Sequence, residues 1–214
     1  MDETALKPPK RWLGMTKIAW WELGGIMFVA NFSALFHFLF ELSCFWRPMA
    51  LFASVNESTW EHLKFYFWTG LLWTLLEYTY IRKDANNFWA AKAIGLIVTP
   101  LVICLGFYSY LGVALPKYGH GNLAADISVG VLGVIIGHIV SSRLMQARPL
   151  RTPFMRLAPV LLIVMIIMNA TFTYFPPKMF LFEDFMGYEF DGKYGILDDY
   201  TEYRIFPDLD CSDS

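Results

Sequence analysis

Residues 55–82, VNESTWEHLKFYFWTGLLWTLLEYTYIR, decide how the chain is read. The first ten, Val55–Lys64, hold an Asn, two Glu, a His and a Lys. They open onto an apolar run long enough to cross a bilayer, for which about 20 residues suffice. No other hydrophobic run in the chain adjoins so dense a polar cluster. Ser58-Thr59-Trp60-Glu61 fits a capping box, with Ser58 capping a helix and Glu61 reaching back to its amide. The stretch therefore reads as a spanning helix with a polar site at its mouth.

Outward from it, the same pattern recurs. Candidate spans run over 17–43, 59–82, 88–114, 123–145 and 154–175. Trp20, Trp21, Trp46, Trp60, Trp89, Phe172 and Tyr174 crowd their ends, where amphipathic rings settle at headgroup level. Pro100 and Pro159 fall inside spans and predict kinks. Composition agrees: 56% of the 214 residues are apolar and 17% charged, where a soluble domain carries about 25% charged. The mean hydropathy is +0.42. No cleavable signal peptide is expected, because the first sixteen residues are polar and basic.

The Lys/Arg distribution sets an orientation. Lys7, Lys10, Arg11 and Lys17 precede the first span, Arg82 and Lys83 follow the second, and Arg143, Arg148, Arg151 and Arg156 follow the fourth. The opposite loops hold only Arg47 and Lys117. The expected architecture is all-α: a cytoplasmic basic segment (1–16), five transmembrane helices (17–175) and an acidic, aromatic-rich tail outside (176–214). The tail carries ten Asp/Glu against Lys178, Lys193 and Arg204, a balance of −7, which leaves +5 for the rest of a chain of net charge −2. With six aromatic side chains between Phe180 and Tyr194 to bury, part of it is expected to fold back over the outer mouth, and the final DLDCSDS to be disordered. Pro48–Val55 is too short to span and reads as a bent continuation of the first helix or an interfacial segment. The implied setting is a multi-pass protein of the cell membrane whose partner is the lipid bilayer. A homo-oligomer is compatible with the small size. Nucleic acid is not expected, since no basic patch is interleaved with aromatics.

Ionisable groups in a hydrocarbon span cost about 3 kcal/mol each near its centre unless paired or hydrated, so each is a functional hypothesis. His37 and Glu41 lie one turn apart on one face of the first helix. Asn56, Glu57, Glu61, His62 and Lys64 begin the second helix at the same face, and Asp126 lies about one turn into the fourth. These residues are expected to converge as a ligand site. His37, Glu41, Glu57 and His62 are the metal-ligand candidates, since imidazole and carboxylate suit a divalent ion such as zinc. They would also suit a proton relay or an acid/base pair. The structural alternatives are a capping role for Glu61, outward snorkelling of His62 and Lys64 at headgroup level, and a packing hydrogen bond for His37 and Glu41. A second group, Glu77 and His138, falls roughly 23–27 Å further in, near the cytoplasmic boundary. Cys104 reads as a buried thiol; Cys44 and Cys211 share the expected outer face, with nothing local to fix a pairing. The sequons at Asn56 and Asn169 read as chance matches.

FELSCFWRPMALFASVNESTWEHLKFYFW resembles an uncharacterised family of small polytopic membrane proteins from bacteria and archaea that carry a VNESxWEHxK signature before their second span. The likeness continues to TYFPPKMFLFED and GKYGI. It implies a multi-span membrane protein and no established activity. Asn56, Glu57, Ser58, Trp60 and His62 are also loosely similar to a motif of the progestin and adipoQ receptor and alkaline ceramidase superfamily of membrane metal hydrolases. That match needs a gap, and no late-helix His pair completes a zinc site here. Three functions follow as expectations: binding or transport of a small ligand or cation in an outer polar cavity, a membrane-embedded metal-dependent hydrolase, or a structural subunit.

Overall fold

The computed structural model describes residues 11–206 and 208–211. Five long helices make up the fold: α1 (Lys17–Leu42), α2 (Thr59–Ile81), α3 (Phe88–Tyr118), α4 (Leu123–Gln146) and α5 (Thr152–Tyr174). Side-chain caps start three of them. Thr16 accepts from the Ala19 amide, Ser58 from Glu61 and Asn122 from Ala125, each satisfying an otherwise orphaned first-turn N–H. α3 runs a full turn beyond the expected Ala114, through Pro116, and stops at left-handed Gly119, whose N–H closes on the Leu115 carbonyl. Ahead of α1 a minimal hairpin pairs β1 (Arg11–Trp12) with β2 (Met15–Thr16) around Leu13 and Gly14, both at positive φ.

α2 is the axis of the bundle. Fourteen of its 23 residues are buried, against seven of 26 in α1. α1, α3 and α5 pack around it, and α4 closes the ring against α1 and α3. α1, α3, α4 and α5 are long and apolar enough to cross a membrane. α2 has the length but is too polar to qualify, because Glu61, Lys64 and Glu77 sit in it, all buried by the surrounding helices. The outward faces carry side chains such as Leu105, Leu123, Ile163 and Ile167, each more than half exposed.

The α3–α4 seam depends on small residues that let backbones approach. A Cβ on Gly137 would lie 2.1 Å from Thr99 Oγ1 and 2.9 Å from the Gly95 carbonyl oxygen, and the second of these cannot rotate away. Gly137→Ala is therefore expected to destabilise the protein by about 1–3 kcal/mol. Equilibrium unfolding in detergent would read this.

The segment after α1 is not a bent continuation of that helix. Arg47–Leu51 forms a 3-10 turn, and Ala50, Ala53 and Val55 pack with Phe40 in a core cluster beneath Tyr200 of the tail. The tail itself lies over this end of the bundle. Its Leu181 carbonyl accepts the Trp60 amide, and Phe182, Phe185 and Leu197 are buried. Of the final DLDCSDS, Asp208–Cys211 are placed and 212–214 lie outside the described residues. Cys211 forms a disulfide with Cys44, across 167 residues of sequence. The basic segment before Arg11 also lies outside the described residues.

Candidate functional site

At the tail-bearing end, His37 of α1, His62 of α2 and Glu57 from the turn before α2 face one another. Each offers a donor atom, and the three donors all lie within 4.8 Å of one another. Glu57 Oε1 is 3.7 Å from His37 Nε2 and Glu57 Oε2 is 3.5 Å from His62 Nε2. Both separations are too long for a hydrogen bond. They are close to the roughly 3.3 Å between two donors on one tetrahedral ion with bonds of about 2.0 Å.

Local structure holds each group in place. His62 Nδ1 donates to the Ser58 carbonyl one turn back, 2.9 Å away, which leaves Nε2 as the bare lone pair. Asp184 Oδ1 accepts the Glu57 amide at 2.8 Å and fixes the turn from the tail side. Asn56 accepts the Ser58 amide and donates to Gly195, so it shapes the same turn. The ring of Phe65 packs against both imidazoles. His37 Nδ1 is buried without a hydrogen-bond partner. Asp184 is wholly buried, and burial pushes its carboxyl above the usual aspartate range despite bonds from Tyr203 and Glu57. The side chains of His37, Glu57 and His62 keep 22–35% of their surface exposed. An ion could therefore reach them. His37 and Glu57 line a crevice of about 40 Å³ with Glu41, Tyr200, Tyr203 and Ile205, room for an ion and a few waters rather than a lipid-sized molecule.

Not all the expected residues converge there. Glu41 lines the crevice, but its carboxylate accepts the amides of Ile205 (3.0 Å) and Phe206 (2.8 Å) and so fastens the tail. Glu61 does not complete the capping box. Its carboxylate takes the Val55 amide, the Thr173 hydroxyl and the Lys64 ammonium, while the Ser58 amide goes to Asn56. Lys64 does not snorkel: it is fully buried and also donates to the Ala50 carbonyl and to Thr173. The Glu61 carboxyl group one turn away explains the inward turn, since Lys64 and Glu61 partner each other out of contact with water. Asp126 lies elsewhere, between the hydroxyls of Tyr110 (2.6 Å) and Tyr188 (2.7 Å). Equal depth in the bundle did not give it the same azimuth.

Glu77 and His138 belong to one network at the other end, joined through two residues the sequence did not single out. Lys92 of α3 pairs with Glu77 and, at 2.8 Å, with Glu22 of α1. Glu22 also takes Ser141 Oγ at 2.7 Å and His138 Nδ1. Glu22 and Lys92 each sit about one turn inside a long apolar helix. The available signal was the same one that marked Glu77: an ionisable group within an apolar helix.

The model of DUF6512, a family of unknown function, matches residues 10–196. The chain belongs to that family. The matched region takes in all five helices, His37, Glu57 and His62, and every residue of the Glu22–Lys92 network. No curated protein and no solved structure shows significant similarity to the chain.

Proposed function

We propose that this DUF6512 member is a multi-pass membrane protein that binds a divalent transition-metal cation, zinc in character, at His37, Glu57 and His62. The observation that carries the reading is the triad of donors, all within 4.8 Å of one another, whose nitrogens are not spent on each other. Two imidazoles and a carboxylate are the donor set such ions favour, and a fourth position would be left to water. The ion would supply Lewis acidity there, but the crevice suits ion binding or passage better than a bulky substrate. In this reading α2 spans with the other helices, sheltered by them, and the tail end faces outward. The Cys44–Cys211 disulfide supports that orientation independently of the Lys/Arg count, because such bonds persist in oxidising compartments.

Elemental analysis of purified protein after zinc exposure and desalting tests the reading. About one equivalent per chain is expected for wild type. His62→Ala and Glu57→Ala should weaken binding by roughly 100-fold or more, since even outer-shell partners are worth 10- to 100-fold. Acidification should weaken it too, as protons compete for the imidazole nitrogens. Wild-type protein that stays folded and retains no metal would refute the proposal.

A further inference from the structure

The second network poses a charge-counting problem. Glu22 and Glu77 are 3% and 0% exposed, and Lys92 is 3% exposed. Among the described residues Lys92 is the only charged partner that reaches both carboxylates, so it balances one and leaves the other. Among the described residues, the charged and titratable groups that face the cluster are Glu22 from α1, Tyr66 and Glu77 from α2, Lys92 from α3 and His138 from α4; the buried residues of α5 are Ala158, Leu162, Asn169 and Thr173. An uncompensated charge in a low-dielectric interior is costly enough that the site acquires a counter-charge instead. A metal ion is disfavoured as that counter-charge, because the Lys92 ammonium already occupies the space between the carboxylates. An anion is excluded by their sign. The remaining species is a proton.

The acceptor is in position. His138 Nδ1 contacts Glu22 Oε2, and the same residue lines a cavity of about 20 Å³ together with Lys92, Ser141, Thr74, Thr99 and Tyr66. That volume holds about one water, and the hydroxyls lining it are suitable partners. Gly25 makes room for the imidazole, since a Cβ there would lie 2.4 Å from His138 Cε1. Glu77 Oε1, by contrast, is buried with no hydrogen-bond partner.

We propose that Glu22, Glu77, Lys92 and His138 form a proton-binding site that takes up one exchangeable proton through the water-sized cavity beside His138. On uptake an N–H bond forms on His138, giving an imidazolium held by Glu22. On release the proton passes to water in the cavity. The site stands apart from His37, Glu57 and His62, about 22 Å along α1 by the rise between residues 22 and 37. Its failure would therefore leave the cation reading intact.

The test is nitrogen-15 NMR of the His138 ring in the full-length protein in detergent, with infrared detection of protonated carboxyls. At neutral pH the wild type should show His138 as the imidazolium, with both carboxyls ionised. Glu77→Gln removes one negative charge without touching His138, and should convert His138 to its neutral form. A residue with a purely packing role would not respond to that remote change of charge. The proposal is overturned if wild-type His138 is neutral across the neutral range, whether both carboxyls are ionised or one of them carries the proton. It is equally overturned if His138 keeps the imidazolium in folded Glu77→Gln. If that variant does not fold, the wild-type spectrum alone decides.

Discussion

Lys92→Met is expected to destabilise the protein by about 3–5 kcal/mol, because it leaves two carboxylates buried without their ammonium. The size of the effect comes from what is left behind rather than from the strength of the pair. Glu22 and Glu77 would have to take up protons or draw water into a closed interior, and either route costs free energy. The contrast is Lys17→Met. Lys17 pairs with Asp84 at 2.8 Å, but the two side chains are 54% and 48% exposed. That loss should stay below about 1 kcal/mol. Adding Glu77→Gln to Lys92→Met should recover part of the stability, since one orphaned charge disappears with it. Equilibrium unfolding in detergent, followed by tryptophan fluorescence, reads all three variants. A Lys92→Met protein within about 0.5 kcal/mol of wild type would mean the network is hydrated and its charges solvated.

Removing the disulfide should have the next largest effect, about 2–4 kcal/mol. The Cys44–Cys211 bond closes a loop of 167 residues, which in an unfolded soluble chain would argue for the top of the known range. In the membrane setting proposed above, helices that persist on unfolding restrict the chain already and bring the figure down. The mechanical consequence is local. Cys44 lies two residues after α1, and one turn earlier Glu41 holds the Ile205 and Phe206 amides, so two anchors strap the tail beside the proposed cation site. Cys211→Ser, or reduction of the wild type, should lower the melting temperature and speed metal release from His37 and Glu57. Cys104→Ser, away from the strap, should do neither. Unchanged melting on reduction would contradict the strap.

The helices were legible because a long apolar helix is a local property. Length, hydropathy and caps such as Ser58 and Asn122 sit within one stretch of chain, and the boundaries follow. The pairing of polar groups was legible only in part. His37 and His62 meet because both lie near the same end of two consecutive, packed helices, and depth along the axis sufficed to bring them together. Asp126 shares their depth, but rotation of α4 turns it to Tyr110 and Tyr188 instead. Rotation about a helix axis depends on every neighbour at once, and no window of sequence encodes it. The same reason hid Lys64 and Lys92. Each would snorkel from an isolated helix, and each turns inward because a carboxylate on the same or another helix waits there. The disulfide was out of reach of sequence for a simpler reason: the tail's return path is set by Asp184, Glu41 and the aromatic clusters, 127–165 residues from the backbone groups they join.

The most direct test of the proposed cation site is X-ray absorption at the zinc edge of the zinc-loaded, full-length protein. The expected spectrum has first-shell nitrogen and oxygen ligands at about 2.0–2.1 Å and the outer-shell scattering of two imidazoles, falling to one in His62→Ala. A wild-type spectrum with only oxygen ligands and no imidazole scattering would place the ion elsewhere and contradict the account.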